Sequence, residues 1–462
     1  MKPRGVVLVA VLLVTALVAV VAATLMFRMR AELATSTAKI RGEQAYNAAL
    51  SGLSRTMSVV RTSAADQKIW FDNPDLFQNQ LVADDGANRW YFSVYGDDAT
   101  EQATTVRYGV TDEAGKINLN VAPPEVLLNL KSMTTELVDS LVDYRDTNSE
   151  ARQEGAEQDY YDQLPNPYVI PNSALSTFDE LLMIKGFSAP IVYGEDANLN
   201  GILDANEDDG DTSFPPDNRD GRLDKGLRAV ATVYSSEPNT DSQGKARVNI
   251  NADGAPPSGA GLPAKALDFI RMARADGYTF KHPSELLEMK YTLKQAPKDA
   301  PANVKAGSVI ESEVGAEELP LVMDRLTTQP PDNKKPILGL VNVNTAPAEV
   351  LATLPGLDPS VAQQIVDARR NLDAETLATV AWLYTQNIVD ADAFKAVAPM
   401  LTARSGQFSV RCVGFGVPCG RFRMLEAVID VSGRTPRLVY VRDISRLGLP
   451  FALDTSAMER IR

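Results

Sequence analysis

Histidine and cysteine are almost missing from this chain: His282, Cys412 and Cys419 are the only ones in 462 residues. A histidine-centred catalytic triad or a His/Cys metal cage needs more of these groups than are present. His282, in YTFKHPSELLEM, reads as a surface residue beside a helix start. Cations are outnumbered too, with 46 Lys and Arg against 60 Asp and Glu and a net charge of −14. Such a surface repels nucleic-acid phosphates and anionic lipid unless a local basic patch intervenes, and the sequence shows none of useful size. No CxxC pair exists. What is plentiful is apolar residues, 44% of the chain, ample for a packed core, in a length suggesting about three domains.

Residues 6–27, VVLVAVLLVTALVAVVAATLMF, run without a charge. At about 1.5 Å per residue, a helix of that length crosses a bilayer. Lys2 and Arg4 precede the run and Arg28 and Arg30 follow it, so charge alone orients it weakly. A Sec signal cut near Ala23 is the competing reading. No proline occurs from Arg28 until Pro74, and Leu33, Ile40, Ala45, Leu50, Leu53, Met57 and Val60 recur at helical spacing. The span is therefore expected to continue as one long amphipathic helix.

Beyond it, RWYFSVYG (89–96) and TTVRYGVTDEAGKINLN (104–120) read as strands with a turn at Glu113–Gly115. Then a sentence is written twice. INLNVAPPEVL opens residues 117–145 and VNVNTAPAEVL opens 341–369; the two segments align without a gap, identical at 11 of 29 positions. A looser copy starts at VNINADGAPPSG (248–259), with its helix at 264–274. Each copy reads as a helix–hairpin–helix too small to bury its own apolar face, so copies should pack on one another or on the strands. Such hairpins hold DNA phosphate where two glycines let backbone amides approach. Here the hairpins read Ser132-Met133-Thr134 and Gly356-Leu357-Asp358, which argues for structural or protein-contacting use. STFDELLMIKG (176–186) and KHPSELLEMKYT (281–292) resemble each other as helix starts. Three segments within 403–448 turn β-like.

One stretch is built for a ligand. DANLNGILDANE, residues 196–207, fits a calcium loop at every ligand position. Asp196, Asn198 and Asn200 fall at one, three and five, Gly201 at the sharp turn, the Ile202 carbonyl at seven, Asp204 at nine and Glu207 at twelve. Hard oxygen donors suit Ca²⁺. A partial second loop follows with Asn218, Asp220, Arg222 and Asp224 at positions three, five, seven and nine; Pro216 and Leu227 spoil the ends, and Asp217, Asp208, Asp209 or Asp211 could compensate. Ten carboxylates against two arginines in 195–224 would repel one another without a cation, so calcium is expected to act as a fold-locking staple.

A basic leader ending Arg4-Gly5 and an apolar helix that turns amphipathic resemble the type IV pilin and pseudopilin signal. With the NLN and NVNTA motifs and the C-terminal strands, nearly the whole chain resembles the minor pseudopilin K family of type II secretion. The resemblance implies cleavage by prepilin peptidase between Gly5 and Val6, methylation of the new amine, and calcium in the helical insertion. Where most pilins carry a glutamate at mature position five this chain has Ala10, as that family does. It implies an α+β fold: a pilin-like helix (transmembrane 6–27, periplasmic 28–65), a β scaffold from 66–120 and 403–462, and an inserted helical domain at 121–402. It further implies a non-enzymatic tip subunit, single-pass in the inner membrane with a periplasmic head, contacting other minor pseudopilins and no nucleic acid or small substrate. On that side of the membrane Cys412 and Cys419, flanking VGFGVP, are expected to form a disulfide, with two free thiols as the alternative. A membrane-anchored DNA receptor of competence type and a calcium-dependent adhesion protein are the rival readings.

Overall fold

A computed structural model describes residues 4–64, 66–96, 106–252, 261–295, 304–329, 336–433 and 435–452, with the side chains of residues 4–6 outside that set. The expected cleavage point, Gly5–Val6, thus has only its backbone in view, and most of VNINADGAPPSG lies outside. Helix α1, Arg4–Ser63, runs unbroken for 60 residues, roughly 90 Å at 1.5 Å per residue. Its first half is bare and apolar on every side: Val7, Leu13, Leu17 and Phe27 are all exposed. This stretch is long and apolar enough to cross a membrane. Its second half buries Ala45, Ala48, Ala49, Leu53, Thr56 and Val60, a stripe at three- and four-residue steps. Leu33 and Ile40, expected to extend that stripe, lie beyond the sheet and stay exposed.

The sheet on which α1 lies is antiparallel. Its strands are β1 (Gln80–Asp84), β2 (Arg89–Tyr95), β3 (Thr111–Asp112), β4 (Gln407–Val417), β5 (Phe422–Asp430) and β6 (Arg437–Asp443), in the order β1-β2-β4-β5-β6, with β3 paired to the start of β4. Small residues let the helix close on it. A Cβ at Gly414 would come within 2.2 Å of Ala45 O and 2.4 Å of Ala49 N. The anticipated strand over 104–120 shrinks to β3 and Ile117–Asn118, separated by a 3-10 turn at Glu113–Gly115; 104–105 lie outside the described residues.

The expected disulfide is absent, and the sheet explains why. Cys412 stands in the middle of β4, level with Val94 and Leu425. Cys419 curls back only as far as Gly416 O, 3.6 Å from its sulfur. Four residues of extended strand separate them, about 13 Å, against the roughly 4.4–6.8 Å between Cα atoms that a disulfide spans. Both thiols are free.

Between β3 and β4 the chain leaves the sheet and builds the insertion around one hydrophobic core reaching from Ile117 to Leu401. All three copies close in the same way, through a two-residue parallel ladder. Ile117–Asn118 pairs with Ala231–Thr232, Val248–Asn249 with Leu326–Thr327, and Val341–Asn342 with Leu401–Thr402. The first asparagine of each motif ties the turn: Asn118, Asn249 and Asn342 each accept the N–H of the residue two ahead. The second reaches a later segment, Asn120 to Leu175 O, Asn251 to Phe280 O and Asn344 to Leu377 O. The first copy contains α2 (Pro124–Leu127) and α3 (Thr135–Arg145), the last α5 (Ala348–Leu351) and α6 (Pro359–Ala368), and the middle copy supplies α4 (Ala264–Ala275). Helices α2 and α5 are each a single turn.

An arginine at the end of each longer helix locks the unit. Arg145 donates to Leu119 O and Ala122 O, Arg369 to Val343 O and Ala346 O, and Arg274 to Asn251 O. Burial pushes the Arg145 and Arg369 guanidiniums down to about 10, since their partners are neutral carbonyls.

Gly414→Ala tests the helix–sheet contact. Its new methyl meets backbone, which cannot rotate away, so unfolding free energy should fall by about 1–3 kcal/mol, read by urea denaturation in detergent. Unchanged stability would mean that α1 does not lie this close to β4.

Candidate metal centre and its joint with the sheet

Loop 196–207 leaves the insertion through a narrow neck. Helix Ala189–Tyr193 ends at Gly194, whose φ of +64° and close approach to Asp224 O (2.0 Å from a built Cβ) admit only glycine. Across the neck the Glu195 N–H donates to Asp224 O at 2.7 Å. Gly201, with φ +73°, makes the turn that the sequence assigned to it.

Inside the loop the expected donors converge. Asp196, Asn200 and Glu207 are buried. Asp204 Oδ2 accepts from both Asn198 Nδ2 (2.7 Å) and Asn200 Nδ2 (2.9 Å). Asp196 accepts from the Asn200 and Gly201 N–H groups, and Asn200 Oδ1 from Ile202 N–H. Glu207 is gripped at both oxygens, by Ala197 N–H and Asp204 N–H, each at 3.1 Å. Burial first, then the charges of Asp196 and Asp204, push its carboxyl up to about 7. Among the described residues no three Asp, Glu, His or Cys side chains alone make a metal cage. The site needs its two asparagines, whose amides present oxygen after a half-turn. With oxygen donors only, a glycine at the turn and a destabilised glutamate, the residues fit a hard cation.

The second loop is arranged differently from the first. Asp217 Oδ2 takes the Asp209 and Gly210 N–H groups, Asn218 Nδ2 donates to Asp220, Asp220 takes the Arg222 N–H, and Asp208 takes that of Gly221. Asp224 lies apart from these, ion-paired with Lys131 at 2.8 Å. Sequence reasoning ranked these acids by position; only the fold separates turn-makers from free donors.

It also missed the joint that fixes the loop region to the sheet. Glu426 on β5 faces Arg228, Arg411 and Arg442, and Arg442 also reaches Asp179. Burial raises the Glu426 carboxyl, but the three guanidiniums outweigh it and hold it at about 2. These residues are scattered over 179–442, so no local pattern could reveal them. Asn200 adds a tie from the loop to Pro450 O at 3.0 Å. His282 proves half-buried, its Nδ1 accepting the Ser284 N–H; burial and the Arg247 charge push it down to about 4. In the hairpins, the helix-start amides are occupied from within: Asp358 accepts from Ser360 and Val361, and Thr134 from Leu137.

Two family models match the chain, one over residues 124–193 and one over 341–411, both described as type II secretion system (T2SS), protein K. Each begins at or just inside a repeat, and loop 196–224 lies outside both. Each of these two segments is therefore similar to protein K of the type II secretion system, and together they span less than a third of the chain. A solved structure of the GspK-GspI-GspJ complex from the type 2 secretion system of enterotoxigenic Escherichia coli is similar at 13% identity, covering 90% of this chain and 99% of that chain, with a TM-score of 0.37. No curated protein matches.

The Glu426 joint makes stability fall in acid. A carboxyl held below its unfolded value contributes fully above about pH 4.5 and loses that contribution as pH drops toward 2. Glu426→Gln should cost about 3–5 kcal/mol near neutrality by leaving buried guanidiniums uncompensated, and should flatten the acid limb of a melting-temperature profile. An unaltered profile would show that the cluster does not hold the insertion.

Proposed function

We propose that this chain is a non-enzymatic subunit at the tip of the type II secretion pseudopilus, supporting export of folded proteins across the outer membrane. The observation carrying this reading is the division of α1: its first half is bare and apolar, its second half is sealed onto the sheet by Ala45, Ala49 and Leu53. The bare half anchors the chain in the inner membrane and packs with the helices of other minor pseudopilins, while the head stands in the periplasm. Prepilin peptidase cuts after Gly5. Ala10 cannot neutralise a neighbour's buried amine, and the large insertion crowds any continuous stack, so both features favour a terminal place.

Co-expression with the other minor pseudopilins should give a complex that copurifies through the helix, and Gly5→Ala should accumulate an uncut precursor in the membrane. A mature N-terminus near Thr24, read by mass spectrometry, would instead mean a signal peptide and remove the pilin reading.

The loop at 196–207 acts in this reading as a calcium staple. Asp196, Asn198, Asn200, Asp204, Glu207 and the Ile202 carbonyl would hold the ion, whose positive charge offsets the burial and the repulsion that raise Glu207. Binding then adds about 3–4 kcal/mol to stability at several hundred times Kd. Glu207→Gln should lower the melting temperature in calcium and change it little in EGTA. Equal melting of the wild-type chain with and without calcium counts against the staple.

A further inference from the structure

Strand β6 closes one side of the sheet, and its outer edge is open. Leu438, Val439 and Val441 are all exposed, an apolar run on a strand paired only with β5 among the described residues. The Ile444 N–H donates to Met424 O, which fixes the phase of the β5–β6 ladder. Bonded and unbonded pairs alternate along antiparallel strands. Tyr440 and Arg442 therefore bond toward β5, while the backbone groups of Val441 and Asp443 face outward. Among the described residues nothing bonds to those outward groups. A row of unpaired N–H and C=O groups is a template for a further strand.

The edge ends at a socket. A cavity of about 350 Å³ lies between Arg442–Leu447 and the segments 189–199 and 214–216. Pro190, Leu199, Phe214, Ile444 and Leu447 give it apolar walls, in the size range and of the composition of ligand pockets. Charge marks one side. Arg446 lines the cavity, is exposed, and makes no ion pair among the described residues. Arg442 spends two donors on Glu426 and Asp179, and its Nε–H is buried without a partner. The two acids in the wall have their own donors: Asp196 accepts the Asn200 and Gly201 N–H groups, and Asp443 that of Ser445. Arg446 is left to meet an incoming carboxylate.

Edge, socket and cation adjoin, since Asp443 both ends β6 and lines the cavity. We propose that together they bind the C-terminal end of a partner protein whose last residue is large and apolar. Its backbone adds to β6 as a parallel strand, its last side chain fills the socket, and its terminal carboxylate meets Arg446. An internal strand of a partner lacks the carboxylate. A small apolar molecule lacks the backbone that pairs with Val441 and Asp443. The site stands apart from the calcium staple and from a place in the pseudopilus, and either of those can fail without touching it.

The test uses the full-length chain in detergent, with empty micelles as the blank. The probes are fluorescein-labelled hexapeptides of alternating threonine and valine that end in phenylalanine, leucine or isoleucine, each as free acid and as amide. Fluorescence anisotropy should show the acids binding about tenfold tighter than the amides. Arg446→Glu should erase that difference and leave the affinity of the amides unchanged. Ala189→Trp, which adds bulk to the cavity wall, should weaken acids and amides alike. Hydrogen exchange at the Val441 and Asp443 amides should slow when a free acid is bound. Equal binding of acids and amides to the wild-type chain overturns the proposal, as does failure of every peptide to bind. Binding that leaves exchange at Val441 and Asp443 unchanged overturns it too.

Discussion

Where the chain leaves the sheet and returns to it, insertion and sheet are tied by one buried carboxylate. Asp112, the last residue of β3, accepts from Asn342 Nδ2 and from the Thr345 and Ser405 hydroxyls through Oδ2, and from the Ala114 N–H through Oδ1. Those donors belong to the point where the chain leaves the sheet, the start of the last repeat and the point where the chain returns to it. Burial raises this carboxyl and four donors oppose the rise. An acid with every acceptor position filled can be buried without a counter-ion, and it fixes three segments at once. With entry and exit tied together, an insertion of nearly three hundred residues behaves as one body on a small pilin scaffold.

The repeats extend the same logic. Each copy has too little apolar surface for a core of its own, and its backbone is mostly turn, which leaves many carbonyls needing partners. Asparagines at the start and an arginine at the end satisfy those carbonyls from side chains. A guanidinium serves because its several N–H groups reach two carbonyl oxygens at once, as in Arg145 and Arg369. Contact between equivalent positions, Asn129 of the first copy donating to Thr353 O of the last, shows that the copies also pack on each other.

The acidic stretches lie where this scaffold is weakest in apolar contacts. Loop 196–224 is cinched at the Gly194–Asp224 neck and held to β5 and β6 by the arginine cluster around Glu426.

By itself the sequence determined the long helix, because an uncharged run followed without proline by a helical stripe has one low-energy outcome. It also determined β2 and β4–β6, and the repeat by identity at Asn118, Asn120, Ala122, Pro123 and Arg145. Local physics suffices for features whose partners are near in the chain. The sequence misjudged Cys412 and Cys419, because seven residues look short until a strand extends them, and it placed His282 on the surface. Tertiary structure alone decided the Asp112 hub and the arginines around Glu426. Whether a buried polar atom is satisfied depends on which distant backbone arrives beside it, and no local pattern carries that information.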